Sequence, residues 1–179
     1  MNNQLIQTIV SIDPSGNGNT GVFVGYFNYH TKQFIAGYLH TYHISNEAML
    51  IETLQNHLNN RYHQANAKPI VVIEDYIDRG ITPDNSTKAM IERLRLKALA
   101  INPHALVYLQ RPACKAVWRN ERLAQLQLLN KTSKGWIITP LSVHPSNHSL
   151  DAFRHFLYRV VMVYQSKINL TAFFGIKNE

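Results

Sequence analysis

Apolar positions in the first quarter of the chain predict three short strands. The segment LIQTIVSID at 5–13 is an apolar run that ends at Asp13, and GVFVGYFNY at 21–29 resumes strand character after the turn-rich segment PSGNGNT. Residues 34–42 alternate between apolar and polar side chains after the polar turn HTKQ. The connections between these segments are short, so the strands are expected to form an antiparallel meander.

The rest of the chain alternates between helical and strand patterns. Apolar residues recur at near-helical spacing over 46–64, with Ser45 as the predicted N-cap, and PIVVIE at 69–74 is the continuous apolar run of a strand buried on both faces. The other predicted elements are helices at 86–100, 113–130 and 147–164 and a strand at 105–109. These elements predict an α/β fold in which helices flank a mixed sheet of about five strands, a meander followed by parallel strands.

Length and composition favour one domain. A chain of 179 residues with 45% hydrophobic content can bury a single substantial core, which we expect over 1–165, followed by a tail at 166–179. Neither a signal sequence nor an apolar stretch of bilayer-spanning length is evident, so a soluble, cytoplasmic protein is expected. Cys114 is the single cysteine, which excludes an intrachain disulfide and a cysteine-rich zinc site.

The net charge favours a polyanionic partner. Lys and Arg number 18 against 11 Asp and Glu, giving +7, and such an excess promotes binding to phosphates. The basic residues concentrate in the middle of the chain. Those expected to contact nucleic acid are Lys88, Arg93, Arg111, Lys115, Arg119 and Arg122. Charge alone does not distinguish a nucleic-acid groove from a solvated helix surface.

Acidic residues close two of the predicted strands. Asp13 and Glu74 each follow an apolar run, where a charged side chain is costly unless it is solvated, paired or bound to a metal. Asp151 lies in the first turn of the last predicted helix, one turn after His148. If these side chains converge, their oxygens favour Mg²⁺ or Mn²⁺, and two such ions suit phosphodiester hydrolysis. The alternative is that each acid caps a helix or pairs with a lysine.

Three motifs resemble the RuvC family of Holliday junction resolvases, and its small phage-encoded members in particular. They are SIDPSGNGNTG at 11–21, VVIEDY at 71–76 and HSLDAFRH at 148–155. The resemblance implies a ribonuclease-H-like fold, a homodimer and branched DNA, such as a four-way junction, as the substrate.

The same resemblance implies roles for individual residues. Asp13, Glu74 and Asp151 fall on the positions of metal ligands in a site for two Mg²⁺ or Mn²⁺ ions, and His148 on that of a further ligand or proton carrier. QRPACK at 110–115 is similar to the family segment that would place Lys115 near the scissile phosphate, as part of the catalytic set. His155, one turn beyond Asp151, is a candidate supporting group or an ordinary core histidine.

Other interpretations of the sequence stay open. Gly16, Gly18 and Gly21 match the dinucleotide-binding pattern, but that pattern must open a helix, and GVFVGYF favours a strand. The tail segment KINLTAFFGI at 167–176 is similar to sliding-clamp-binding peptides, although its two phenylalanines could instead pack on the core. The chain could also be a nuclease for other DNA or RNA substrates, or a catalytically silent nucleic-acid-binding module.

Overall fold

The secondary structure alternates strands and helices in the predicted order. The computed structural model describes residues 6–28, 33–59, 68–75, 85–110, 129–132, 135–138, 148–149 and 151–156. The strands are β1 (Ile6–Asp13), β2 (Asn19–Asn28), β3 (Gln33–His43), β4 (Ile70–Glu74), β5 (Leu106–Gln110), β6 (Leu129–Thr132) and β7 (Gly135–Ile138). The helices are α1 (Glu47–Leu58), α2 (Asn85–Ile101) and α3, which comprises residues 148–149 and 151–156.

The five strands β1 to β5 form one mixed sheet in the order β3-β2-β1-β4-β5. The pairs β1–β2 and β2–β3 are antiparallel, whereas β1–β4 and β4–β5 are parallel. The predicted meander followed by parallel strands is therefore confirmed. Strand β1 lies at the centre of the sheet, and β4, whose five residues are all buried, lies beside it.

Helices cover both faces of the sheet. Side chains that alternate along β1 and β4, such as Val10 and Ile73, pack with Leu54 of α1 and Leu94 of α2 in one core. On the opposite face, Phe23 of β2 packs in tilted contact against two phenylalanines of α3, Phe153 and Phe156, with ring centroids 4.8 and 4.3 Å away. The fold thus has three layers, and α3 covers the face on which Asp13 and Glu74 lie.

Helix α1 begins differently from the prediction. Ser45 lies within a short 3₁₀ turn, Ile44–Asn46, and Asn46 occupies the N-cap position without a side-chain hydrogen bond. The predicted N-cap role of Ser45 is wrong because Ser45 lies inside this turn, where its hydroxyl contacts His43 Nδ1 at 3.1 Å. The Ile44 N–H donates to Gly18 O at 2.9 Å, which ties this turn to the β1–β2 connection.

The helix predicted over 113–130 does not extend to its expected end. Leu129 and Asn130 belong to β6, which pairs antiparallel with β7. Apolar residues on either side of the segment TSKG are the signal for this hairpin, and the helical interpretation overlooked it. Residues 111–128, where the rest of that helix was predicted, lie outside the described residues.

The proposed tail and the domain boundary near residue 165 also lie outside the described residues. None of the helices in the described ranges is both long and apolar enough to cross a membrane.

Candidate active site

The pairing register of the sheet brings Asp13 and Glu74 side by side. Ile12 pairs with Ile73 in the parallel ladder between β1 and β4, so the residues that follow them end neighbouring strands at the same level. Paired positions of adjacent strands point to the same face and lie about 5 Å apart. The two carboxylates therefore share the α3 face at one edge of the sheet.

This row of paired positions extends across four strands. Gly21 of β2 pairs with Asp13 of β1, and Gln110 of β5 pairs with Glu74 of β4. We call these four residues, Gly21, Asp13, Glu74 and Gln110, the edge row. Sequence reasoning found its two acids, but it did not identify Gly21 or Gln110 as part of a site.

Helix α3 supplies a histidine to each acid of the edge row. His148 Nδ1 lies 3.5 Å from Asp13 Oδ2, and His155 Nε2 lies 2.8 Å from Glu74 Oε2. The two histidines are seven residues apart, about two helical turns, so they project from the same side of α3. The side chains of Asp13 and Glu74 are only 5% and 9% exposed. Hydrogen-bonding groups are required at such depth, since a buried carboxylate is otherwise strongly disfavoured.

Gly21 allows α3 to lie this close to the sheet. A Cβ atom at Gly21 would overlap the backbone of His148 and Ser149. Gly16 has a similar role, because its N–H donates to Thr87 Oγ1 at 3.2 Å and a Cβ there would overlap the backbone of Ser86 and Thr87. The glycine-rich segment thus supports helix packing, and it leads into β2 rather than into the helix that a dinucleotide site requires.

The fourth predicted site residue, Asp151, lies near His148 but pairs with Arg154, one turn later on α3. Its side chain is 38% exposed. Among the described residues, no three His, Cys, Asp or Glu side chains are arranged to hold a metal ion together. Asp13 thus pairs with His148 and Glu74 with His155, whereas Asp151 pairs with the guanidinium group of Arg154.

The pKa of His148 is raised by its surroundings. Its hydrogen bond with Asp13 is the main cause, and the negative charges of Asp13 and Asp151 add to it, while partial burial opposes the shift. In the metal-free protein, protonated His148 therefore stabilises the fold. This contribution is fully present below the ordinary histidine pKa and is lost as the pH rises through the raised value.

We expect Asp13→Asn to lower the pKa of His148 in the metal-free protein, because the amide removes the negative charge beside the ring. Titration of the histidine ring protons by NMR, in the presence of a chelator, measures this change. An unaltered His148 pKa in the variant would mean that the contact with Asp13 does not form in solution.

The predicted nucleic-acid contacts are only partly within the described residues. Lys88 is exposed in the first turn of α2 and directly follows Thr87, whose hydroxyl accepts the Gly16 N–H. Arg93, about one and a half turns further along α2, makes a two-pronged ion pair with Glu47 of α1 at 3.0 and 3.3 Å. The other four predicted residues, Arg111, Lys115, Arg119 and Arg122, lie outside the described residues.

Comparison with known proteins places the fold. No protein-family model and no curated protein matches the sequence. Among solved structures, the chain is similar to RuvC of Thermus thermophilus, with a TM-score of 0.50 and 12% identity over 88% of this chain and 95% of that chain. It is also similar to the Fowlpox virus resolvase solved with Holliday junction DNA, with a TM-score of 0.47 and 14% identity over 88% of this chain and 99% of that chain. The nuclease domain of the P22 large terminase gives a TM-score of 0.44 and 12% identity, over 87% of this chain and 82% of that domain.

The sheet order, the mixed pairing and the similarity to RuvC together define the class of this protein. It has the ribonuclease-H-like fold, as the sequence motifs predicted.

Proposed function

We propose that this protein is a metal-dependent endonuclease that hydrolyses phosphodiester bonds in branched DNA. One observation carries the proposal: the register of β1 and β4 sets two buried carboxylates, Asp13 and Glu74, side by side at the edge of the sheet. Two adjacent buried carboxylates have little structural value, because their charges repel each other and each is costly to desolvate. Their placement is explained if they serve chemistry.

The donor chemistry of this pair fits a divalent cation. Carboxylate oxygens are the preferred ligands of Mg²⁺ and Mn²⁺, and a dication would offset the repulsion between the two acids. Asp13 and Glu74 would hold it, with Asp151 and His148 as further ligands. Recruiting Asp151 requires its carboxylate to leave Arg154, and recruiting His148 requires its ring to be neutral. Bound divalent ions in such a site supply Lewis-acid stabilisation and activate water for attack on a phosphodiester.

Each side chain of the site has a task in this proposal. His155 holds one oxygen of Glu74, which fixes the orientation of that carboxylate toward the edge row. His148 contacts Asp13 and is 43% exposed, so it can exchange protons with solvent and with a bound substrate. Lys88, which is exposed on α2, is proposed to contact the phosphate backbone, and Arg111, Lys115, Arg119 and Arg122 stay predicted contacts.

Branched DNA is the substrate that the sequence motifs favour. The three segments that resemble RuvC family motifs include all four proposed metal ligands, and the net charge of +7 suits a polyanion. A four-way junction is two-fold symmetric, so we propose that two copies of the chain act on it as a homodimer.

A panel of labelled substrates tests this choice. We expect metal-dependent, symmetric cuts in a four-way junction, and much slower cutting of a linear duplex with the same sequence. A single strand and an RNA–DNA hybrid complete the panel. Preferential cutting of the hybrid or of a single strand would identify a nuclease with another substrate, whereas tight junction binding without cutting of any substrate would identify a silent binding module.

A further inference from the structure

The side chain of Gln110 carries a buried donor that the protein does not use. Its Nε2 atom is inaccessible to solvent and has no hydrogen-bond partner among the described residues. Buried amide groups are nearly always hydrogen-bonded, because an unmet donor loses its contact with water and gains nothing in return. Gln110 therefore needs an explanation beyond packing.

The position of Gln110 in the sheet explains why its amide is left without a partner. It is the β5 member of the edge row, paired with Glu74 and projecting from the same face of the sheet. The backbone holds it there, since the Asp75 N–H donates to the Gln110 carbonyl at 2.9 Å and continues the ladder beyond Glu74. The amide is thus placed beside the proposed metal-binding carboxylates, yet it makes no hydrogen bond to Glu74.

A second unused group shows by contrast why this location matters. Ser11 Oγ is also buried without a hydrogen-bond partner among the described residues, but Ser11 lies two residues before Asp13, inside the sheet, and is fully covered. A hydroxyl in that position cannot meet a substrate. Gln110 differs in that it ends its strand and is only half-buried, so a rotation of its side chain can bring Nε2 to the surface that a substrate of the proposed nuclease would approach.

The chemistry of the amide suits a phosphate oxygen. An amide NH₂ is a neutral donor, so it can bind an anionic oxygen without forming an ion pair with Glu74 or competing with a cation for that carboxylate. A lysine at this position would form an ion pair with Glu74 and compete with the cation for that carboxylate. The neutral donor adds a contact to the substrate and leaves the charge of the metal-binding acids unchanged.

We propose that Gln110 Nε2 donates a hydrogen bond to a non-bridging oxygen of the phosphodiester bound at the edge row, which makes Gln110 a substrate-contacting residue of the site. This inference rests on the proposed nuclease function. It predicts that loss of the amide lowers the cleavage rate while folding and metal binding are maintained.

Gln110→Leu tests this contact, because leucine fills similar space without a donor. We expect the single-turnover rate on a four-way junction to fall about ten- to a hundred-fold, as for loss of a hydrogen bond to a charged group. Junction affinity should weaken a few-fold, while the thermal midpoint and Mn²⁺ binding should not decrease. Ser11→Ala is the matched control, since it removes another unused buried donor and should cleave at the wild-type rate.

A sulfur substitution separates a contact from a structural role. The substrate for this test carries sulfur in place of one non-bridging oxygen of the scissile phosphate. For one of the two diastereomers, the sulfur should slow cleavage by the wild-type protein more than it slows cleavage by Gln110→Leu, because that variant has already lost the contact. A wild-type rate in Gln110→Leu, equal sulfur effects in the two proteins, or a rate loss explained by unfolding would each overturn the proposal. If the wild-type protein cuts no substrate, the nuclease function fails, and equal junction affinities of the two proteins would then also exclude the Gln110 contact.

Discussion

Asp13→Asn is expected to abolish cleavage of a four-way junction and to leave binding of that junction intact. The substitution removes one of two adjacent carboxylates at the edge row, whereas it changes none of the basic residues proposed to bind phosphates. A divalent site contributes several kcal/mol to transition-state stabilisation, so the rate should fall by about a thousand-fold or more. Single-turnover cleavage and a gel-shift titration in chelator measure the two effects separately.

Glu52→Gln is the matched control for this experiment. It makes the same acid-to-amide change and the same change in net charge, but at an exposed position on α1. This variant should bind and cleave as the wild type does. Retained cleavage in Asp13→Asn would refute the assignment of the site, and loss of junction binding in that variant would show that the acid serves binding or folding.

Gly21→Ala should lower both the stability and the activity of the protein. The added methyl group would overlap backbone atoms of His148 and Ser149, which cannot move aside as a flexible side chain can. The start of α3 must then shift away from β2, and it takes His148 away from Asp13. We expect a loss of about 1–3 kcal/mol in the free energy of unfolding, the usual cost of overpacking, as measured by urea denaturation.

Gly18→Ala serves as the comparison for Gly21→Ala. A Cβ at Gly18 would meet only Ser15 Oγ, at 3.1 Å, and that side chain can rotate away. Both variants exchange a glycine of the same segment for alanine, so they share the entropic effect on the unfolded chain. If Gly21→Ala were as stable and as active as Gly18→Ala, α3 would not pack against β2 as the structure describes.

Hydrophobic patterning predicted the centre of the sheet, because β1 and β4 are buried on both faces. Strand β4 is a continuous run of apolar residues that ends at Glu74, and β1 ends in the same way at Asp13. An acid that follows such a run is conspicuous in the sequence, so both acids could be found without a structure. The sequence could not predict that the two acids are adjacent, because their adjacency depends on the register between strands that are 57 residues or more apart in the chain.

The supporting contacts depend on packing between distant elements. The pairing of His155 with Glu74 requires α3 to pack over the end of β4, and no local sequence pattern specifies that position. Gly21 looked like part of a nucleotide-binding pattern, and only the position of α3 reveals why the residue lacks a side chain. The hairpin of β6 and β7 was missed for a different reason, since each of its strands has only four residues and gives a weak periodic signal.

Direct binding of Mn²⁺, followed by electron paramagnetic resonance, tests the central claim that Asp13 and Glu74 form a divalent metal site. The measurement needs no DNA cleavage, so it does not depend on the choice of substrate. We predict saturable binding to the wild-type protein, strongly weakened binding to Asp13→Asn and Glu74→Gln, and unchanged binding to Glu52→Gln. Equal binding to all four proteins, or no binding to the wild type with and without junction DNA, would contradict the claim.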